Sequence, residues 1–87
     1  MPPRARGLRK SLHSSGQLAL CELLVAARKK AGLTQQQLAN RLRTPQSFVA
    51  KYEGGERRLD VLELLQILEA IGADPMRFMK ALIRRIA

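Results

Sequence analysis

From residue 16 onward, apolar residues recur at helical rather than strand spacing. Leu20, Leu24, Ala27 and Ala31 fall at i, i+4, i+7 and i+11, which predicts one helix over 16–31. Leu18, Cys21 and Val25 make a second apolar stripe on the same helix, so both sides need cover. A second helix is predicted over 35–42, with Leu38, Ala39 and Leu42 facing inward, and a third over 45–53, with Val49 and Tyr52 inward. A fourth follows Asp60, its apolar face built from Val61, Leu64, Leu65, Leu68 and Ile71. A fifth follows Asp74–Pro75, with Met79, Leu82 and Ile86 on one face and Phe78 and Ile83 beside it.

The punctuation between these runs supports the same division. Ser15 is placed to cap the first helix and Gly32 to end it. Thr34 with Gln37, and Asp60 with Glu63, fit capping boxes, in which the first side chain caps an amide and the other reaches back. Thr44 is the expected N-cap of the third helix, with Pro45 at its first position, and Gly54–Gly55 ends it. Gly72 stops the fourth helix. No run rich in Val, Ile and Thr suggests a strand. The expected fold is all-α: a flexible basic arm over 1–15, rich in Pro, Gly, Ser and like charge, then one compact five-helix domain over 16–87.

Charge changes the picture from fold to partner. The formal net charge is +9 over 87 residues, which points to a polyanion. Four of the 16 bases and none of the 7 acids lie in the arm, so the remaining domain is basic in its own right. An anionic membrane surface fits less well than nucleic acid, because no continuous basic amphipathic segment is present. The apolar run 18–27 is broken by Glu22 and is too short to span a bilayer. Exposed aromatics for stacking single-stranded RNA are scarce: there are two Phe, one Tyr and no Trp. Cys21 is the single cysteine, so no intrachain disulfide can form, and a reducing cytoplasm is the expected setting.

Little in the chain suits catalysis. His13 is the single histidine and lies in the arm. No Cys/His cluster has metal-ligand spacing, no two acids pair for acid–base work, and no glycine loop cradles phosphate. The chain is expected to be no enzyme and to need neither metal nor cofactor.

The segment 34–57, TQQQLANRLRTPQSFVAKYEGGER, carries the chemistry. Two short helices are joined by a tight turn. Ala39 is small enough to let their backbones approach, and Val49, ten residues on, fills the angle between them. The second helix is then held outward with Gln46, Ser47 and Lys51 on one face, side chains suited to base edges in a major groove about 12 Å wide.

At this point the chain resembles the lambda-repressor-like, or Xre-type, helix-turn-helix proteins. The resemblance spans 20–82. It rests on Arg28 before Ala31-Gly32-Leu33-Thr34-Gln35, then Leu38-Ala39, Ser47-Phe48-Val49-Ala50-Lys51-Tyr52-Glu53, Gly55-Glu56-Arg57, and the tail Leu64-Leu65, Leu68 and 71–75. It implies a helix-turn-helix over 34–53, with 45–53 as the recognition helix.

It also implies a DNA-facing set of Gln35, Arg43, Thr44, Gln46, Ser47, Phe48, Lys51, Arg57 and Arg58. Within that set, Gln35 and Arg57 or Arg58 would contact phosphate, while Gln46, Ser47 and Lys51 would enter the groove. Phe48 would either touch a thymine methyl or sugar, or pack against the neighbouring loop. Arg28 and Glu53 would form a partly buried ion pair. Family members usually place Gly in the turn, where this chain has Arg43, so a strained or reshaped turn is expected. The implied role is a transcriptional regulator of duplex DNA, expected to repress, to act as a homodimer and to sit with the nucleoid. The alternative is an antitoxin-like or protein-interaction module with a second protein partner. Leu18, Cys21 and Val25 would serve either such an interface or packing on the fifth helix.

Overall fold

A computed structural model describes residues 14–86. It holds α1 (Ser15–Lys30), α2 (Gln35–Leu42), α3 (Gln46–Glu53), α4 (Val61–Ile71) and α5 (Pro75–Ile86), with no strand among the described residues. The predicted arm lies almost wholly outside the described residues. Its last residues do not: Ser14, not Ser15, caps α1, and its hydroxyl accepts from the Gln17 amide at 3.1 Å.

Both predicted capping boxes form. Thr34 Oγ1 accepts from the Gln37 amide while Gln37 Oε1 accepts from the Thr34 amide; Asp60 and Glu63 do the same. Each box satisfies two first-turn amides that a helix cannot satisfy by itself. Asp74 caps α5 by accepting from the Met76 amide.

Four helix ends close in the same way. A left-handed residue follows the last helical turn, its amide reaches back three residues, and the next amide reaches back five. At the ends of α1, α3 and α4 the left-handed residue is Gly32, Gly55 and Gly72. At the end of α2 it is Arg43, with φ 58° and ψ 43°. The Arg43 amide reaches Asn40 and the Thr44 amide reaches Ala39. The expected strained turn is therefore present, and it keeps the geometry glycine would give. A side chain in that conformation costs about 1 kcal/mol. Arg43→Gly should raise unfolding stability by about 0.5–1 kcal/mol, the relief being partly offset by a freer unfolded chain. A thermal melt checks this; a lower melting temperature would count against the strain.

The same turn moves the start of α3. Thr44 was expected to cap it, but Pro45 occupies the cap position, with extended ψ 152° and no side-chain cap bond. The Thr44 amide already closes α2, and a residue before proline is driven toward extended backbone. Thr44 Oγ1 is buried and has no hydrogen-bond partner among the described residues, so it caps nothing.

The core is one cluster centred on Leu24, Leu38, Ala39, Val49, Tyr52, Leu64, Ile67, Leu68, Ile71 and Phe78. Ala39 and Val49 are fully buried where α2 and α3 meet, as their spacing required. Several expected inward residues lie outside it. Val61 and Leu65 of α4 are exposed, and Ile67 takes the inner face instead. That helix is apolar on both sides, so its phase is set by packing rather than pattern. Ala31 is exposed beyond the end of α1, and Ile86 is exposed at the end of α5, where Phe78 is the buried anchor. Cys21 meets the end of α3: its thiol donates to the Tyr52 carbonyl at 3.2 Å, and burial pushes its pKa up. Leu18 remains exposed.

Candidate nucleic-acid interface

The outward face of α3 is set by its inward one. Val49 and Tyr52 are buried, so Gln46, Ser47 and Lys51, on the opposite side, are exposed. Ala50 lies between them on that side, one turn after Gln46. It was passed over at the sequence level, although its i+4 spacing from Gln46 marks it. Steric exposure leaves this four-residue face open to a ligand of groove width.

Beneath it runs a polar chain that fixes the angle of α3. Arg28, buried on α1, donates through Nε and Nη2 to the two Glu53 carboxylate oxygens at 2.8 and 3.1 Å. Its Nη1 donates to the Leu33 carbonyl at 2.8 Å. Five fixed donors on one planar group let Arg28 hold the end of α1, the following loop and the end of α3 together. Bonding to Glu53 holds the Arg28 guanidinium above its already high pKa. Gln35 Nε2 donates to Glu53 Oε1 at 2.9 Å, and Gln35 Oε1 accepts from Gln46 Nε2 at 3.1 Å. The first side chain of α3 is thus tied, through Gln35, to a buried ion pair. Gln35, expected to meet a phosphate, has its side chain in this polar chain. The predicted ion pair is present.

The loop after α3 is held by a second constellation. Arg57 donates to both Glu63 carboxylate oxygens at 3.1 and 2.7 Å and to the Arg58 carbonyl, and its guanidinium lies 4.8 Å from the Phe48 ring centre. Phe48 in turn meets Tyr52 edge-on at 5.4 Å. Of the two roles open to Phe48, packing against the loop is the one the structure presents. Arg57 is partly buried and engaged, and Arg58 lies exposed beside it. Arg43 is exposed at the other end of α3, and Thr44 is half-buried. Sequence reasoning missed the Arg57–Glu63 pair, since Glu63 was read only as a cap and no helical period links a loop residue to it.

Arg57 and the Asp60 amide hold the Glu63 carboxyl below its usual pKa. A lowered folded-state pKa means the contribution is present above the ordinary value of 4.5 and is lost as pH falls through the folded value. Glu63→Gln should therefore flatten the acid-side fall in melting temperature, and only slightly, this pair being largely solvated. Melts above and below the carboxylate range test it; an unchanged slope would remove Glu63 from the acid response.

Among the described residues no helix is long and apolar enough to cross a membrane, and no group of three His, Cys, Asp or Glu could hold a metal ion.

Comparison with known proteins agrees with this geometry. The helix-turn-helix family profile matches residues 24–78. A solved XRE-family like protein from Pseudomonas syringae pv. tomato is 47% identical, with a TM-score of 0.79, over 86% of this chain and 92% of that one. The restriction-modification controller protein C.Esp1396I, solved as a tetramer with its natural 35 base-pair operator, is 22% identical with a TM-score of 0.77, over 85% and 97%. The clp gene regulator ClgR from C. glutamicum is 22% identical with a TM-score of 0.72, over 83% and 92%. Among curated proteins, none matches. The two relatives at 22% speak for the fold alone, but the profile and the 47% identity reach further: this chain belongs to the XRE-type helix-turn-helix family of DNA-binding regulators.

Proposed function

We propose that the chain reads duplex DNA as a homodimeric transcriptional repressor, with α3 in the major groove. The face of exposed Gln46, Ser47 and Lys51 with half-buried Ala50, held on a helix anchored by buried Val49 and Tyr52, carries this reading. Gln can pair with adenine N6 and N7, Lys can donate to guanine O6 or N7, and a small methyl can meet that of thymine. Arg43 and Arg58 flank the face and add charge for the DNA backbone, and the first-turn amides of α2 offer a helix N-terminus to a phosphate. The net charge of +9 supports the same partner. The controller protein, solved with its operator, and ClgR, a clp gene regulator, share this fold and favour regulation as the role. Repression is the sign we assign, because a domain seated on a promoter obstructs it. A DNA partner places the protein with the nucleoid. The homodimer follows because one short recognition helix reads few base pairs, and two half-sites multiply specificity.

Selection of bound sites from random duplex DNA tests the proposal. Recovery of a sequence with two-fold symmetry is the expected result. Equal retention of every sequence would reduce the protein to a non-specific binder.

A further inference from the structure

Helices α1 and α5 run antiparallel. Near the start of α1, Gly16 lies beside Ile86, and Glu22 pairs with Arg85. Toward the other end the residues along the seam are small, with Ala27 on α1 and Ala81 on α5. Alanines cannot fill the space between two helix backbones to the density of a core. A trough of about 760 Å³ results, lined by α1, α5 and the turn between α4 and α5. That volume falls within the roughly 300–1,000 Å³ of small-molecule sites.

The floor of the trough is apolar. Leu23, Ala27, Ile71 and Phe78 line it, and Ile71 and Phe78 are each 8% exposed. None of the large exposed apolar side chains among the described residues borders it. Its apolar surface is therefore recessed, a shape that takes a small molecule. A protein partner is gripped instead through large aromatic or long side chains at the centre of the contact.

The rim is basic. Lys30 and Arg77 line the trough, and neither side chain has a hydrogen bond or ion pair among the described residues. Asp74 is the one acid among the described lining residues. Its Oδ1 already accepts from the Met76 and Arg77 amides, at 3.0 and 3.4 Å. A cation would meet two like charges here. A wholly apolar ligand would leave both bases unused, and a polyphosphate would leave the floor unused. A carboxylate suits the rim, because a guanidinium can donate to both of its oxygens at once.

We propose that this trough binds a small organic carboxylate with an apolar body. The body rests on Leu23 and Phe78, and the carboxylate is drawn to Lys30 and Arg77. No residue of α2 or α3 lines the trough, so it is separate from the Gln46–Lys51 face.

Octanoate titrated into the full chain, followed by amide shifts in NMR spectra, tests this, with octanol as the uncharged control. Saturable shifts are expected at Ala27, Lys30, Ala73 and Arg77, and octanol should bind roughly fivefold more weakly. Lys30→Gln and Arg77→Gln should each weaken octanoate by roughly two- to fivefold and leave octanol unchanged, the rim being solvated. Added salt should also weaken octanoate alone. Ala81→Leu should fill the trough and weaken both probes. If circular dichroism shows that this variant does not fold, the two charge variants still decide. Octanol binding as tightly as octanoate, or octanoate binding both charge variants as it binds wild type, would overturn the carboxylate assignment. Shifts that never saturate, or that centre on Leu62 and Leu65, would mark detergent-like adsorption and overturn the site. A trough that ignored octanoate but took a Glu-rich amphipathic peptide would be a protein-docking surface, and the proposal would fall.

Discussion

Glu53→Ala is expected to cost about 3–5 kcal/mol of stability, the cost of leaving a buried charge without its partner. In a domain of this length each kcal/mol moves the midpoint by about 4–8 °C, so melting should fall by at least about 12 °C. The reason is positional. The Arg28 and Glu53 side chains are only 10% and 5% exposed, and their bond is two-pronged. Alanine would leave two guanidinium donors without acceptors where water enters poorly, and it would also strip Gln35 of its acceptor. The Leu33 carbonyl alone would still hold Arg28.

The pair of Glu22 with Arg85 gives the internal comparison. Its side chains are 67% and 45% exposed, and Glu22→Ala should cost less than about 1 kcal/mol. Arg28 has its pKa raised further above an already strongly basic value by its bond to Glu53, so its charge contributes fully until strongly alkaline pH. The large effect should therefore appear unchanged across neutral and mildly alkaline pH. A Glu53→Ala melt within about 3 °C of wild type would show that the pair does not hold the fold.

The second large effect concerns recognition. Gln46→Ala and Lys51→Ala should each cost about 1–3 kcal/mol at the preferred site, roughly 5- to 150-fold in affinity. Both side chains are exposed and their helix is anchored by Val49 and Tyr52, so melting should change little, Gln46 losing only its exposed bond to Gln35. Binding to unrelated DNA should change much less, and repeated site selection should show relaxed preference at a single base-pair position for each variant. Arg43→Gln, by contrast, should weaken all sequences alike and lower the salt slope by about one phosphate contact. If Gln46→Ala and Lys51→Ala weakened every sequence equally, these side chains would be positioning α3 rather than reading bases.

Much of this architecture is legible in the sequence because its signals are local. The Thr34–Gln37 and Asp60–Glu63 boxes, and Gly32 and Gly72, mark helix ends that depend on neighbours three to five residues away. Ala39 and Val49 are legible because their spacing fits one helix crossing. What escaped is what depends on choice among equals. The fourth helix has Leu on several sides, so nothing local says that Ile67 goes in and Leu65 stays out. The Arg57–Glu63 pair and the Gln35 link between Glu53 and Gln46 join residues that meet only after folding. Phe48 carried two readings because an aromatic beside a loop suits either a base or an arginine.

The left-handed turn at Arg43 has a consequence beyond its strain. What the motif demands at this point is a dihedral angle, and glycine is merely the cheapest residue that supplies it. A search keyed to glycine in the turn would pass over chains like this one. The same tolerance opens a route for change: Asn or Asp also visits this conformation readily. The charge at the edge of the proposed DNA-facing surface could thus move from positive to neutral to negative by single substitutions. Grip on DNA could be retuned there while the helices stayed where they are.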